Sequence, residues 1–420
     1  MPVRETKRER ALIVGAGLAG VQTAAELRAQ GWDGRVTLLG AEPHPPYDRP
    51  PLSKELLAGE PAEGAERGGA HLLDVDYAAL GVELLLGRTA TGLDTAGRRL
   101  DTDGGPLPYD HLVLATGAEA VRLPGTGRTP GVHVLRTLDD ARALRAVLAA
   151  RGSLVVIGAG WIGAEVATAA AAAGCRVTVV EAAPRPLPGA LPAEVTEPMR
   201  RWYAEAGVEL RLGLRVTAVG TGRVELADGT ALAADAVLAG VGSRPATGWL
   251  AGSGIALGAD GSVRADERLR ASAPGVYAVG DCASYPSARY GVRLLIHHWD
   301  NALGGPRTVA AGIRGERAVH DPVPYFWSEQ FGRYVQFLGR RGPADRLVWR
   351  GDPEAPEAEG PGWTACWLGP GGELTALLAV DRPRDLAQGR RLAERGTPLD
   401  EARVADPAVP LRAAAAPGRP

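Results

Sequence analysis

Lysine is nearly missing from this chain. Of its 47 basic residues only Lys7 and Lys54 are lysine, and the rest are arginine. Together with 57 glycines, 33 prolines and long alanine runs, this bias reads as GC-rich coding rather than a basic domain. It singles out Lys54 as a lysine retained for chemistry. Cysteine is equally scarce. Cys175, Cys282 and Cys366 form no C-x-x-C or C-x4-C pair, which argues against a local redox dithiol or a cysteine metal site. They read as buried small hydrophobes in a reducing, cytoplasmic setting, and no metal is expected. Excess charge is lacking too: the formal net charge is -2, so nothing draws the whole molecule to nucleic acid or anionic lipid.

Long apolar runs are also absent. The alanine-rich stretch from Ile162 to Gly174 is interrupted by Glu165 and is too short for a membrane span. Arg4, Lys7, Arg8 and Arg10 ahead of Ala11 imitate a secretory leader, but a nucleotide fingerprint accounts better for the apolar residues that follow. The expectation is a chain with no targeting signal and no membrane helix.

What is present is a repeat. At 420 residues, 45% apolar and 23% charged, the chain suits a soluble globular protein of two or three domains. Strand, glycine turn, alanine-rich helix, strand and acid occur twice. The first copy is ALIVGAGLAG (Ala11–Gly20), a helix to about Gly31, then RVTLLG and Glu42; the second is LVVIGAGWIG (Leu154–Gly163), a helix to about Gly174, then RVTVV and Glu181. Glu42 follows Gly20 by 22 residues and Glu181 follows Gly163 by 18, near the spacing of about 20 expected for a dinucleotide fingerprint. Each copy closes with a further apolar strand and a small-residue turn, YDHLVLATGA (Tyr109–Ala118) and ADAVLAGVGSRP (Ala234–Pro245); VYAVGD (Val276–Asp281) adds one more buried strand ending in an acid.

Beyond about Val323 the chain becomes richer in Trp and Tyr, with alternating runs such as GRYVQFLG. The expected fold class is α/β, with two Rossmann-like domains, for FAD and NAD, and a C-terminal α+β domain. The expected boundaries give an FAD domain at 1–120 and 246–322, an NAD domain at 121–245, a C-terminal domain at 323–405 and a loosely ordered tail at 406–420.

The glycines have distinct duties. Gly15 permits the tight turn, Gly17 lets backbone approach a pyrophosphate and Gly20 lets helix pack on strand, with Ala16, Leu18 and Ala19 lining the same turn. The helix N-terminus offers N–H groups and a positive dipole end to phosphate, and Glu42 accepts from ribose hydroxyls. In the second copy Gly158, Gly160 and Gly163 repeat these parts, with Trp161, Ile162 and later Gly242 beside them. Glu181 favours NADH, because a carboxylate bonds a free 2′-hydroxyl and repels a 2′-phosphate. Arg185, four residues on, is a cation able to soften that choice.

YDRPPLSKELLAG (Tyr47–Gly59), the ATG turn at Ala115–Gly117, GVGSRP, VYAVGD, HHWDNA and YFWSEQ together resemble the FAD- and NADH-dependent ferredoxin reductases that serve bacterial oxygenases, such as the putidaredoxin, rubredoxin and biphenyl-dioxygenase reductases. The resemblance runs from about Ala11 to Arg412. It implies an α/β fold of the glutathione-reductase type, hydride transfer from NADH to FAD, then one-electron delivery to a small iron–sulfur ferredoxin feeding a cytochrome mono-oxygenase or ring-hydroxylating dioxygenase. It implies Arg49, Lys54, Ala90, Ala115, Thr116 and Gly117 at the flavin, Arg136 near its adenine half, and Gly280 with Asp281 at the ribitol. Trp299 falls at the pyrimidine edge, and Trp327 where the C-terminal domain meets the ring. Lys54 and Glu165 are expected to pair at the nicotinamide–flavin contact as the catalytic groups.

Two departures stand out: Ala41 where the family commonly has a second acid, and Pro306, expected to kink or shorten the helix after Asn301. A disulfide reductase is disfavoured because no cysteine falls in the YDRPPLSK segment. The alternatives are a monodehydroascorbate- or quinone-reducing flavoenzyme, and a flavoprotein of the apoptosis-inducing-factor type acting by interaction. The expected assembly is a monomer or weak homodimer.

Overall fold

The computed structural model describes residues 8–58, 71–127, 129–355 and 362–416. Arg4 and Lys7 of the basic stretch, Gly59 and residues 417–420 lie outside the described residues. The chain divides into two compact units. One comprises Met1–Asp48, Gly64–Glu119 and Ser243–Asp321, the other Arg49–Glu63, Ala120–Gly242 and Pro322–Pro420.

In the first unit five parallel strands lie in the order Val276–Ala278, His111–Leu114, Arg10–Val14, Arg35–Leu39 and Val82–Leu85. A parallel sheet covered on both faces needs near-continuous apolar strands, which ALIV and HLVL supply. Successive side chains part to opposite faces. Ala11 and Ile13 join a core with Ala24 and Leu27 of the Leu18–Ala29 helix and Val309 and Ile313 of the Trp299–Ile313 helix. Leu12 and Val14 join the opposite core with Leu93 and Leu100 of a small antiparallel sheet. Pro306 does not shorten its helix, which runs unbroken for 15 residues. Gly305, Pro306 and Thr308–Ala311 are buried, so tertiary packing outweighs the single N–H that proline lacks.

The second unit repeats the pairing. Ser153–Ile157 lies between Arg176–Glu181 and Ala236–Ala239, as Arg10–Val14 lies between Arg35–Leu39 and His111–Leu114. The outermost parallel strand differs in origin: Val132–His133 precedes its sheet's glycine turn in sequence, whereas Val276–Ala278 follows. This unit also holds an antiparallel sheet ordered Tyr325–Gln330, Arg333–Gly339, Leu374–Val380, Trp363–Leu368 and Arg346–Arg350, with Leu386, Leu392 and Ala393 of the Pro383–Arg395 helix in its core.

The tail expected to be loose is packed as far as Ala416. Val404, Leu411 and Ala414 are fully buried. Arg350, buried and paired with Asp385 at 2.9 Å, donates to the carbonyls of Val404, Asp406, Pro407 and Val409. A guanidinium removed from water must fill its five donors, and this bend of chain provides the acceptors. Among the described residues no helix is long and apolar enough to cross a membrane, and no group of His, Cys, Asp and Glu is placed to hold a metal ion.

A buried polar cluster in the first unit gives the fold a pH dependence. Asn301 Oδ1 accepts from Tyr285 Oη at 3.3 Å and from His320 Nε2 at 3.1 Å, the acceptor fixing the imidazole tautomer. Burial pushes the His320 imidazole down to about 4, with Asp321 opposing. Below about pH 6.5 the unfolded chain binds a proton that the native state refuses, so stability present above that pH is lost as pH falls toward 4. The residue's share is on the order of 3 kcal/mol. Urea unfolding at pH 7 and pH 4.5 should show a larger loss in the wild type than in His320→Gln, and equal losses would contradict this assignment.

Candidate functional site

At the first glycine turn the backbone has no room for a side chain. Gly15 has φ +114°, and a Cβ there would stand 2.1 Å from Ala115 O, where the strand ends in the ATG turn. A Cβ on Gly20 would stand 1.8 Å from Gly15 O, so the helix sits directly on the turn. Gly17 is the N-cap of the Leu18–Ala29 helix and no side chain caps it, leaving the first N–H groups available to an anion. Glu42 Oε2 accepts from Tyr47 Oη at 2.5 Å. The Gly87 and Arg88 N–H groups bond Glu42 O and Gly40 O, which brings the start of the strand at Ala90 to the same edge.

Gly280, at φ +74°, brings the turn carrying Asp281 onto the first turn of that helix; a Cβ would meet Ala19 Cβ at 3.0 Å. Trp299 Nε1 donates to Asp48 Oδ1 at 2.8 Å. His298, N-cap of the Trp299–Ile313 helix, is pushed down to about 4 by burial, against the pull of Asp281, so that helix begins on a neutral imidazole. Thr116 and Gly117 (φ +68°) form the ATG turn above the fully buried Cys282. Burial raises that thiol, whose Sγ lies 3.2 Å from Leu114 O. A thiol so placed is a packed hydrophobe rather than a nucleophile.

The second unit repeats the turn. Gly158 has φ +102°, and a Cβ there would meet Gly240 O at 2.4 Å; one on Gly163 would meet Gly158 O at 2.1 Å. Gly160 caps the Trp161–Ala172 helix, again with no side-chain cap. Around this opening Ile162 and Val241 are exposed apolar side chains, and Gly242 takes φ +114°. Trp161 meets Phe326 edge to face at 4.6 Å, and Trp327 stacks on Tyr325 at 6.2 Å. Glu181 Oε2 accepts from Ala159 N at 2.9 Å and Oε1 from Ala183 N at 2.8 Å, so the carboxylate sits against the glycine turn. Arg185 does not join it. Its guanidinium donates to Leu191 O at 2.6 Å, Pro188 O at 2.9 Å and Thr196 Oγ1 at 3.3 Å, which commits it to its own loop. Arg49 Nη1 reaches Arg136 O at 3.3 Å, just ahead of the capped Leu138–Ala149 helix.

Lys54 and Glu165 come together, as expected, in this second unit. Lys54 Nζ lies 2.9 Å from Glu165 Oε2, with side-chain exposures of 10% and 4%. A carboxylate buried in an alanine-rich helix is costly unless its oxygens are filled. The sequence reading missed two of the groups that fill them: Ser53 Oγ donates to Oε2, and Ser328 Oγ donates to Oε1 at 2.6 Å. Both serines lie inside the motifs PPLSK and YFWSEQ, and an acid set within an alanine-rich helix was the signal that donors were required. Glu329, next to Ser328, has its carboxyl raised by burial, with Glu55 and Glu165 adding and Lys54 opposing.

Residues 9–305 match the pyridine nucleotide-disulphide oxidoreductase family and residues 325–415 the reductase C-terminal family. Rhodocoxin reductase of Rhodococcus erythropolis is 36% identical over 96% of this chain and 94% of its own. The crystal structure of Fdr9 superposes with a TM-score of 0.87 at 45% identity, covering 97% of this chain and all of that one. The covalent complex of putidaredoxin reductase with putidaredoxin gives 0.89 at 33% identity, covering 96% and 97%. The three cysteines of this chain are free, with no redox pair among them. The chain therefore belongs to the pyridine nucleotide-disulphide oxidoreductase family and, within it, to the ferredoxin reductases without a redox disulphide.

Proposed function

We propose that this protein takes reducing equivalents from NADH onto FAD and passes them singly to a small ferredoxin of a cytochrome mono-oxygenase or ring-hydroxylating dioxygenase system. The observation that carries the reading is the duplicated glycine turn with an uncapped helix N-terminus, in a chain that has no cysteine pair. Two such cradles, each closed by a strand-end carboxylate, fit two dinucleotides. Bound FAD supplies the conversion of a two-electron donation into one-electron deliveries. The relatives support the acceptor: one is named a rhodocoxin reductase, and another was solved covalently joined to putidaredoxin.

On this reading residues 1–120 and 246–322 hold FAD, 121–245 hold NADH, and 323–405 form the C-terminal domain. Gly15, Gly17 and Gly20 receive the FAD pyrophosphate, Glu42 its ribose, and Asp281 its ribitol, with Arg49, Arg136, Thr116, Trp299 and Trp327 around the remainder. Gly158, Gly160 and Gly163 receive the NADH pyrophosphate and Glu181 its adenosine ribose. Lys54, held by Glu165, would present its ammonium to the flavin and stabilise negative charge there. Unpaired thiols suit a cytoplasmic location.

Turnover against a panel of purified ferredoxins should be rapid with at least one and slow with oxygen or quinone alone; fast quinone reduction with no ferredoxin response would favour a small-molecule reductase. NADH should exceed NADPH in kcat/KM. Because Arg185 is engaged elsewhere, Glu181→Arg should narrow or reverse that preference by about 5- to 150-fold, or ~1–3 kcal/mol; a wild type preferring NADPH would overturn the role of the strand-end acid. Lys54→Met should keep FAD yet slow its reduction by NADH in stopped flow, and an unchanged rate would refute the lysine's role.

A further inference from the structure

We infer that Ser328, oriented by Gln330, is a positioning residue for NADH oxidation: it fixes one oxygen of Glu165, and thereby the Lys54 ammonium on the other. This rests on the reading of Lys54 and Glu165 given above.

The strand Tyr325–Gln330 runs along one face of the coenzyme helix. On the strand, Phe326, Ser328 and Gln330 share a face because side chains alternate. On the helix, Trp161, Glu165 and Thr168 share a face by the i, i+4, i+7 rule. The first two members of each set meet in order, and the residue just past the strand meets the third helix position. Phe326 packs on Trp161, Ser328 Oγ donates to Glu165 Oε1 at 2.6 Å, and the Phe331 N–H donates to Thr168 Oγ1 at 2.9 Å. The ladder continues through Arg333, which pairs with Glu205 and lies over the Trp202 ring at 5.1 Å.

Direction within the network is set by valence. Gln330 Nε2, 3.1 Å from Ser328 Oγ, can only donate. The serine oxygen accepts that bond, and its single proton turns to Glu165. Ser328 is fully buried and Gln330 is 2% exposed, so no water competes for either bond. Glu165 Oε2 takes Ser53 and Lys54, both from the 50–58 segment, while Oε1 takes Ser328 from the C-terminal sheet. With Oε1 held from one side the carboxylate cannot turn about its Cγ–Cδ bond, and Lys54 has one place to sit.

The test uses the FAD-loaded full chain with Ser328→Ala, Ser328→Thr, Gln330→Met and Lys54→Met, reduced anaerobically across a range of NADH concentrations. Ser328→Ala should lower the limiting rate of flavin reduction about tenfold, the loss of one buried hydrogen bond, with the NADH dissociation constant changed less than about twofold. Gln330→Met should give a loss of about threefold, and Ser328→Thr should recover most of the rate because it keeps the hydroxyl. Reoxidation of dithionite-reduced enzyme by ferricyanide should be unaffected in the Ser328 and Gln330 variants. If Ser328→Ala does not retain FAD, Gln330→Met carries the same reading through the serine rotor alone. A limiting rate within twofold of wild type in Ser328→Ala, or an equal loss in the ferricyanide arm, overturns the positioning role when Lys54→Met is slow. An unchanged Lys54→Met instead removes the reading beneath it.

Discussion

The architecture turns on a steric constraint: at two places adjacent strand ends come so near that a single Cβ cannot enter. Ala115 O occupies the space beside Gly15, and Gly240 O the space beside Gly158. Both glycine turns and the helices that start on them follow from these contacts. The bare turns let each helix begin directly above the sheet, so its N–H groups face outward together with the carboxylate of the next strand. Strands pairing in register set that carboxylate's distance from the turn, and this is why Glu181 reaches the Ala159 N–H.

The constraint also explains what was legible in the sequence. G-x-G-x-x-G between a strand and a helix is a local demand on backbone, and local demands leave their mark in residue order. Both sheets, both turns and both strand-end acids were readable for that reason, and so was the pairing of Lys54 with Glu165 once the motifs suggested their neighbours. What sequence did not disclose depends on partners remote along the chain. Arg185 looked available to a phosphate because nothing near it in sequence predicted that the carbonyls of Pro188 and Leu191 would take its donors. Pro306 looked disruptive because the burial of its helix face is invisible until the helix is docked. Ser53 and Ser328 are among the least conspicuous residues of their motifs, and only a buried carboxylate between them gives their hydroxyls a purpose.

One consequence concerns Arg350 and the order in which the chain is made. Its guanidinium is sealed between Asp385 and the carbonyls of residues 404–409, more than fifty positions downstream. During synthesis the strand carrying it emerges well before these carbonyls, and until they arrive the last antiparallel sheet must either stay open or enclose a guanidinium paired with Asp385 but with its four Nη donors unfilled, which is costly. That sheet is therefore expected to close late, after the strands that carry the glycine turns have had time to associate. Chains released short of residue 409 would carry the glycine turns but no completed sheet to brace the coenzyme helix, so quality control by proteolysis would meet them as open, incomplete molecules rather than as stray oxidases of NADH.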